Sequence, residues 1–196
     1  MAKKVFWTRQ HKNILEDIKE YGKYIVKERY IRRKLGDITE FYLDVYKWYR
    51  HKASKIVEIP EDAKFPIWLS TEEDMKLPLA GDQVMLELLI PEEKVIKLDM
   101  VKWDYVVNYW YIPENKEDAQ KHKKILEKYG IKSESNIYMN DFYPLLKEKI
   151  VKSWDRLFDE NIKFSEKEVA TIWEIKEEWI NKVEFPESVK RGEKNE

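Results

Sequence analysis

Aromatic side chains are the feature that most limits what this chain can fold into. The sequence contains eight tryptophans, twelve tyrosines and seven phenylalanines, but no cysteine and only five glycines. Because large rings supply much of the apolar area that a fold buries, this composition predicts a dense aromatic core. The lack of thiols excludes disulfides and thiolate zinc sites, and it favours a reducing compartment.

Positive and negative charges nearly cancel in this chain. There are 37 Lys and Arg residues against 38 Asp and Glu residues, so the net charge is −1. This balance predicts no bulk affinity for nucleic acid or anionic lipid, although local basic patches are compatible with it. No segment approaches the roughly 20 apolar residues of a membrane helix, and the N-terminus has no signal-peptide pattern. We therefore expect a cytoplasmic protein with no membrane contact.

Strand and helix patterns alternate along the chain. Alternating apolar residues predict strands over 5–8, 65–70, 84–90, 95–98 and 169–175. Helical spacing predicts helices between them, including one over about 38–53 that starts with Asp37 and Glu40 as a capping box. A first helix, with Ile14 and Ile18 on its apolar face, is expected to end at Gly22 in the left-handed conformation that favours glycine. Asp99, Asn115 and Pro144 are typical of the starts of three further helices.

This order of elements predicts the fold class. Strands at the N-terminus, in the middle and at the C-terminus, with helices between them, are typical of an α+β fold whose sheet pairs distant segments. We expect a single domain over 1–186, with a mixed or antiparallel sheet and helices packed around it. The charged segment 187–196 is expected to be a flexible tail.

Glu174 is the most unusual acidic residue in the sequence. It lies in a strongly apolar stretch between Trp173 and Ile175, and a period of two puts it on the face opposite Trp173. A carboxylate between apolar neighbours either lines a cleft or lies on the wet face of a one-sided sheet. In the first case, Glu174 is a candidate catalytic residue.

Several common types of site are absent from the sequence. The three histidines, His11, His51 and His122, stand apart from one another, without the H-E-x-x-H pattern of zinc enzymes. His122 lies on the apolar face of a predicted helix, which is typical of a buried structural histidine. None of the glycines forms a dinucleotide fingerprint, a P-loop or a nucleophile elbow. The sequence therefore predicts no metal site and no classical nucleotide loop.

Glu174 also belongs to an E-x-K pattern with Lys176. This pattern resembles the second half of the restriction-type nuclease motif, in which Asp159 would supply the upstream acid. It predicts a metal-dependent nuclease as one alternative function.

Aromatic residues beside basic side chains suggest another alternative. The candidates are Trp68 with Tyr111, and Tyr46 with Tyr49 near Arg50 and His51. Such rings can stack on a base or on a nicotinamide ring. They predict a non-catalytic module that binds a protein or nucleotide partner.

Several segments, taken in order, resemble the bacterial family of unknown function 3841 (DUF3841). These segments are 5–10, 22–24, 65–68, 84–91, 99–111 and 171–183. The resemblance spans most of the chain. It implies a fold and a bacterial origin, but no activity.

The order of elements also resembles that of small ADP-ribosyltransferases. In those enzymes an aromatic ring stacks on the nicotinamide of NAD, Ser and Thr side chains shape the site, and a glutamate on a late strand orients the ribose. The resemblance implies Glu174 as that glutamate, and a carboxylate there would stabilise the cationic sugar of the reaction. The corresponding cofactor-binding positions are Thr8, Arg9, Trp68, Ser70 and Thr71.

The leading hypothesis is therefore an NAD-using, ADP-ribosyltransferase-like enzyme of a bacterial or phage conflict, defence or toxin system. It needs NAD and no metal. The alternatives are the binding module, with an unknown protein or nucleotide partner, and the nuclease.

Overall fold

The computed structural model describes residues 2–186. Its strands are β1 (Lys3–His11), β2 (Lys23–Tyr24), β3 (Ile67–Ser70), β4 (Gln83–Pro91), β5 (Ile96–Asp99), β6 (Glu168–Ile172), β7 (Ile175–Lys176) and β8 (Ile180–Glu184). Its α-helices are α1 (Ile14–Tyr21), α2 (Glu28–Leu35), α3 (Thr39–Ala53), α4 (Met100–Val107), α5 (Lys116–Lys128), α6 (Ser135–Tyr138) and α7 (Pro144–Ser153). Short 3₁₀ turns cover Gly36–Ile38, Glu73–Met75, Glu92–Lys94, Trp154–Phe158 and Glu177–Trp179.

Six of the strands form one antiparallel sheet in the order β5-β6-β3-β1-β4-β8, and β2 pairs with β7 in a second, two-stranded sheet. The long central strands β1 and β4 pair along their whole length, from Lys3 opposite Pro91 to His11 opposite Gln83. Strands from both ends of the chain therefore meet strands from its middle. The predicted α+β fold is confirmed.

Contacts within the described chain divide it into two compact units. The sheet unit consists of residues 2–97 and 169–186, and the helical unit consists of residues 98–168. The single domain expected over 1–186 stays a prediction. Its expected tail, 187–196, lies outside the described residues.

One face of the sheet carries the main apolar core of the sheet unit. Phe6, Leu69 and Leu88 point to this face, and all three are buried. Ile14 and Ile18 of α1 belong to the same cluster, because residues four apart lie on one side of a helix. The start of the chain thus supplies both a strand of the sheet and a helix that covers it.

Tyr49 of α3 packs on the opposite face. Its hydroxyl shares a hydrogen bond of 2.6 Å with Thr171 Oγ1, and its ring stacks on Trp68 with 6.3 Å between ring centroids. Thr171 and Trp68 are direct partners across β6 and β3, so their side chains share a face, opposite to Ile67 and Leu69. The sheet therefore has α1 on one face and α3 on the other.

The helix predicted over about 38–53 is confirmed as α3 (Thr39–Ala53), but its predicted capping box does not form. Asp37 lies in a 3₁₀ turn, α3 begins at Thr39, and no side chain caps its N-terminus. Instead, the Thr39 hydroxyl donates a hydrogen bond of 2.6 Å to Gly36 O, and Glu40 pairs with Arg32 at 2.7 Å. The acidic residues of the pattern are thus used in the turn and in an ion pair with α2, a helix that the sequence patterns did not predict.

Other helix ends follow the sequence closely. Gly22 ends α1 with φ 69°, in the left-handed region that favours glycine. In the helical unit, Asp99 Oδ1 caps α4 by accepting a hydrogen bond of 2.9 Å from the backbone N–H of Val101. Asn115 caps α5, and Pro144 occupies the first turn of α7. These four predicted boundaries are confirmed.

Candidate functional site

Glu174 lies in a bend of the chain, not in a strand. β6 ends at Ile172, the chain turns at Trp173, and Ile175 pairs with Tyr24 in the two-stranded sheet. The strand predicted over 169–175 is therefore interrupted, because this segment passes from one sheet to the other. The Glu174 side chain is 15% exposed, as expected for a residue that lines a concave surface.

Two lysines hold the Glu174 carboxylate. Lys176 Nζ lies 3.6 Å from Glu174 Oε1, and Lys23 Nζ lies 3.9 Å from Oε2. The lysines come together because Lys23 and Lys176 are direct partners in the β2–β7 pair. Lys23 also donates a hydrogen bond of 3.0 Å to Asp62. The E-x-K spacing thus forms an ion pair in the folded chain.

A cleft of about 270 Å³ surrounds this carboxylate. It is lined by Glu58, Pro60, Lys94, Ile172, Trp173, Glu174, Lys176 and Trp179. Lys176 Nζ lies 5.6 Å from the centroid of the Trp179 ring, within the range of a cation–π contact. The cleft therefore combines apolar rings with charged groups of both signs.

The lining of the cleft includes a second acidic group, Glu58. Lys94 Nζ donates a hydrogen bond of 2.8 Å to Glu58 Oε2. This bond, followed by the charge of Lys94, lowers the pKa of the Glu58 carboxyl below its ordinary value. A ligand in the cleft would thus meet two carboxylates, each paired with a lysine.

The Ser70 and Thr71 pair lies at the far end of β3 from this cleft. β3 runs antiparallel to β6, so Ser70 is opposite Val169 whereas Ile67 is opposite Ile172. Three residues of strand, about 10 Å, separate these two ends. The Ser70 hydroxyl donates to Met75 O at 3.0 Å, and Thr71 is buried. The structure does not bring this pair to Glu174.

The remaining predicted cofactor-binding residues also make structural contacts elsewhere. Thr8 is buried and its hydroxyl donates a hydrogen bond of 2.8 Å to Trp68 O. Arg9 Nη1 donates to Pro78 O at 2.9 Å, and the Trp68 ring stacks on Tyr49. None of these residues lines the Glu174 cleft.

Sequence reasoning missed Glu58, Lys94 and Trp179 as members of the cleft. Glu58 and Lys94 come from other parts of the chain and lie near Glu174 only because the chain folds. No local motif marks Glu58 or Lys94. Trp179 follows Glu174 closely in the sequence, but its position in the apolar pattern does not indicate that it lines a cleft.

The histidine prediction concerns the helical unit and is confirmed. His122 is 5% exposed, its Nε2 bonds to Glu134, and its ring stacks on Tyr111 at 4.1 Å between centroids. Its Nδ1 is buried, with no hydrogen-bond partner among the described residues. The Tyr111 hydroxyl donates to Asp118 Oδ2 at 2.9 Å, and Arg156 Nη1 donates to the same carboxylate at 3.1 Å. This cluster is a packed polar network.

The aromatic residues expected to stack on a ligand are mostly buried. Tyr111 and Tyr49 belong to the core, and Arg50 beside Tyr49 donates to Ala63 O at 2.8 Å. The large apolar side chains that are most exposed to solvent lie in the helical unit instead. They are Met139, Phe142 and Leu145, and Phe142 is 86% exposed. Trp68 and Tyr46 are half-buried, so each predicted pair has one buried ring and one partly exposed ring.

The folded chain also bears on the metal, nuclease and membrane predictions. Within residues 2–186, no group of three or more His, Asp or Glu side chains is placed to hold a metal ion. Asp159, the acid required by the nuclease hypothesis, accepts hydrogen bonds from Asn161. No helix in the same range is long and apolar enough to cross a membrane.

Comparison with known proteins gives one match. A family model described as "Domain of unknown function (DUF3841)" matches residues 5–181. No curated protein and no solved structure matches the chain significantly.

Proposed function

We propose, for a chain that belongs to the DUF3841 family, that the cleft at Glu174 binds NAD and that Glu174 is the catalytic carboxylate of an ADP-ribosyl transfer. The family description names no activity, so the proposal rests on the site. The observation that carries it is the placement of a carboxylate that is only 15% exposed in a concave cleft lined by tryptophans.

The proposed reaction starts at the bond between nicotinamide and ribose. When this bond breaks, its electron pair stays on the ring nitrogen, which gives neutral nicotinamide and leaves a positive charge on the ribose. An acceptor oxygen or nitrogen then bonds to the ribose carbon and loses its proton. A nearby carboxylate lowers the barrier because it stabilises the cationic sugar. Glu174 has this role in the proposal.

The charges of the cleft support NAD as the ligand class. NAD has a cationic pyridinium ring and an anionic diphosphate, so it needs acidic and basic partners close together. Glu174 provides the first, and Lys94 and Lys176 provide the second within the same lining. Ligand pockets usually measure about 300–1,000 Å³. The cleft, at about 270 Å³, suits the nicotinamide riboside half, with the adenosine half outside.

The acceptor of the ADP-ribosyl group belongs to the same proposal. A cytoplasmic macromolecule would serve as acceptor in a bacterial or phage conflict, defence or toxin system. Because Ser70 and Thr71 lie at the other end of β3, we assign the NAD contacts to the cleft residues instead.

Calorimetry and product analysis test this proposal directly. NAD is titrated into the protein, and released nicotinamide is measured by chromatography in the presence of cell lysate as acceptor source. Removal of one electrostatic partner of a transition state typically costs about 10²–10³ in rate. We therefore expect Glu174→Gln to lower nicotinamide release by about 100-fold, with a much smaller change in NAD affinity.

Glu166→Gln is the matched control, because this glutamate is 89% exposed and lies outside the cleft. It should leave both measurements unchanged. An absence of binding heat at millimolar NAD would end the proposal. Binding without any effect of Glu174→Gln on turnover would remove the catalytic role of this residue.

A further inference from the structure

We infer that helix α2 is a binding surface for single-stranded nucleic acid, through its phosphates and one exposed base-stacking ring. This inference is independent of the Glu174 cleft. Although the net charge of the chain is −1, the segment 27–34 contains five cationic side chains and one carboxylate. The cationic residues are Lys27, Arg29, Arg32, Arg33 and Lys34.

Three carboxylates near α2 are already paired, which leaves part of its positive charge free. Asp17 pairs with Lys27 at 2.8 Å. Glu28 pairs with Arg32 at 2.8 Å, and Glu40 pairs with the same guanidinium. Among residues 2–186, Arg33 and Lys34 have no hydrogen bond or ion pair to a carboxylate, and both are exposed.

Four exposed side chains lie side by side on the outer surface of the helix. At 100° per residue, Arg29, Arg33, Tyr30 and Lys34 cover one continuous arc of about 140°. All four are exposed, with Tyr30 at 40%. Arg29 Cζ lies 5.0 Å from the centroid of the Tyr30 ring. An exposed aromatic ring, with Arg33 on one side of it and Lys34 on the other, therefore faces solvent.

The other side of α2 explains why a membrane is not the favoured partner. Ile31 and Leu35 lie four residues apart and are half-buried against the protein. A helix that binds a bilayer inserts an apolar face between lipids. The apolar residues of α2 already face the protein, so only its charged and aromatic surface is available to a partner.

Nucleic acid fits this surface better than an acidic protein does. A guanidinium binds phosphate oxygens in a bidentate manner. Exposed aromatic rings stack on unpaired bases, at about 1–3 kcal/mol per base, regardless of sequence. The combination of Arg29, Arg33 and Lys34 with Tyr30 therefore favours a single strand, whose bases are free to stack, over a duplex.

The test uses the full chain and fluorescence anisotropy. The probes are a labelled 12-nucleotide RNA, DNA of the same sequence, and the corresponding DNA duplex, between 50 and 200 mM NaCl. In Arg29→Gln/Arg33→Gln/Lys34→Gln we expect single-strand affinity to fall at least tenfold at 50 mM salt. Because each phosphate contact contributes about 0.7 to the salt slope of single strands, the slope should fall by about 2.

Lys121→Gln/Lys124→Gln/Lys128→Gln on α5 is the matched control, since it removes the same charge from exposed helical positions. The affinity of this control variant for the single strands should stay within twofold of that of the original chain. Tyr30→Phe should also stay within twofold, whereas Tyr30→Ser should lose at least fivefold. Circular dichroism confirms that each variant is folded.

Several outcomes would overturn the inference. These are no binding to either single strand at 50 mM salt, equal losses in the two triple variants, and duplex binding as tight as single-strand binding. Binding of phosphatidylserine vesicles or of polyglutamate that depends on α2 and exceeds oligonucleotide binding would assign the surface to a membrane or to an acidic protein.

Discussion

Asp99 shows how much one side chain contributes to the helical unit. One carboxylate oxygen accepts the backbone N–H of Val101 at the start of α4. The other accepts the backbone N–H groups of Phe164 and Ser165, at 2.6 and 2.8 Å. Burial would raise the pKa of Asp99, but these backbone hydrogen bonds outweigh it and hold the pKa below its ordinary value of 3.8. The residue thus joins a helix start to a distant loop.

We expect Asp99→Asn to lower the free energy of unfolding by about 2–3 kcal/mol at pH 7, because hydrogen bonds to a charged acceptor are the strong ones. A depressed pKa stabilises the folded chain above pH 3.8, and this contribution is lost as pH falls through the folded-state pKa. The difference between variant and original chain should therefore shrink in acid.

Urea denaturation followed by circular dichroism, at pH 7 and at pH 3, measures this difference. Asp104→Asn, a change of the same kind at an exposed position of α4, provides the comparison. A loss in Asp99→Asn that is equal at both pH values would show that the carboxylate charge does not contribute.

At the scale of elements, α3 is joined to the sheet by a buried polar contact. The Tyr49 hydroxyl and Thr171 Oγ1 share a hydrogen bond of 2.6 Å, and both residues are fully buried. Burial raises the pKa of Tyr49 well above its ordinary value. The Tyr49 ring also stacks on Trp173, at 5.9 Å between centroids. This helix therefore supports the bend that presents Glu174.

We expect Tyr49→Phe to cost about 1–3 kcal/mol of unfolding free energy, because the Thr171 hydroxyl would stay buried without its partner. Tyr24→Phe is the control: Tyr24 is also a buried core residue, and burial raises its pKa to about 12. Denaturant unfolding of both variants gives the comparison. Equal losses would show that the bond to Thr171 adds nothing beyond ring packing.

For the whole molecule, the paired strands β1 and β4 are the expected centre of stability. They form the longest ladder, from Lys3 opposite Pro91 to His11 opposite Gln83. β3 and β8 cover their outer edges. Phe6 of β1 is completely buried. Backbone amides in such central strands exchange their hydrogens only when a large part of the fold opens.

Hydrogen exchange read by mass spectrometry should therefore show the slowest amides in the middle of β1 and β4. The half-covered α2, which has no buried residue, should exchange among the fastest of the helices. Slower exchange in α7 than in β1 would show that the helical unit, and not the sheet, is the most stable part.

Local patterns were sufficient for the fold class and for most helix ends. Asp99, Asn115 and Gly22 mark boundaries because capping and left-handed turns depend on one or two residues that the sequence states directly. The same reasoning failed at Asp37, where Glu40 pairs with Arg32 instead of closing a capping box. It also failed to find α2, because this short, highly charged helix has too few apolar residues at helical spacing to be recognised.

The site depended on the assembled structure. Local sequence identified Glu174 as unusual, since a carboxylate among apolar neighbours needs an explanation. The resemblance to ADP-ribosyltransferases placed Ser70 and Thr71 in the same site as Glu174, whereas the antiparallel register of β3 and β6 separates them. Glu58, Lys94 and Trp179 join Glu174 from other segments. Short-range propensities act within a few residues, but which side chains share a cleft depends on strand order and register, which only the packed chain specifies.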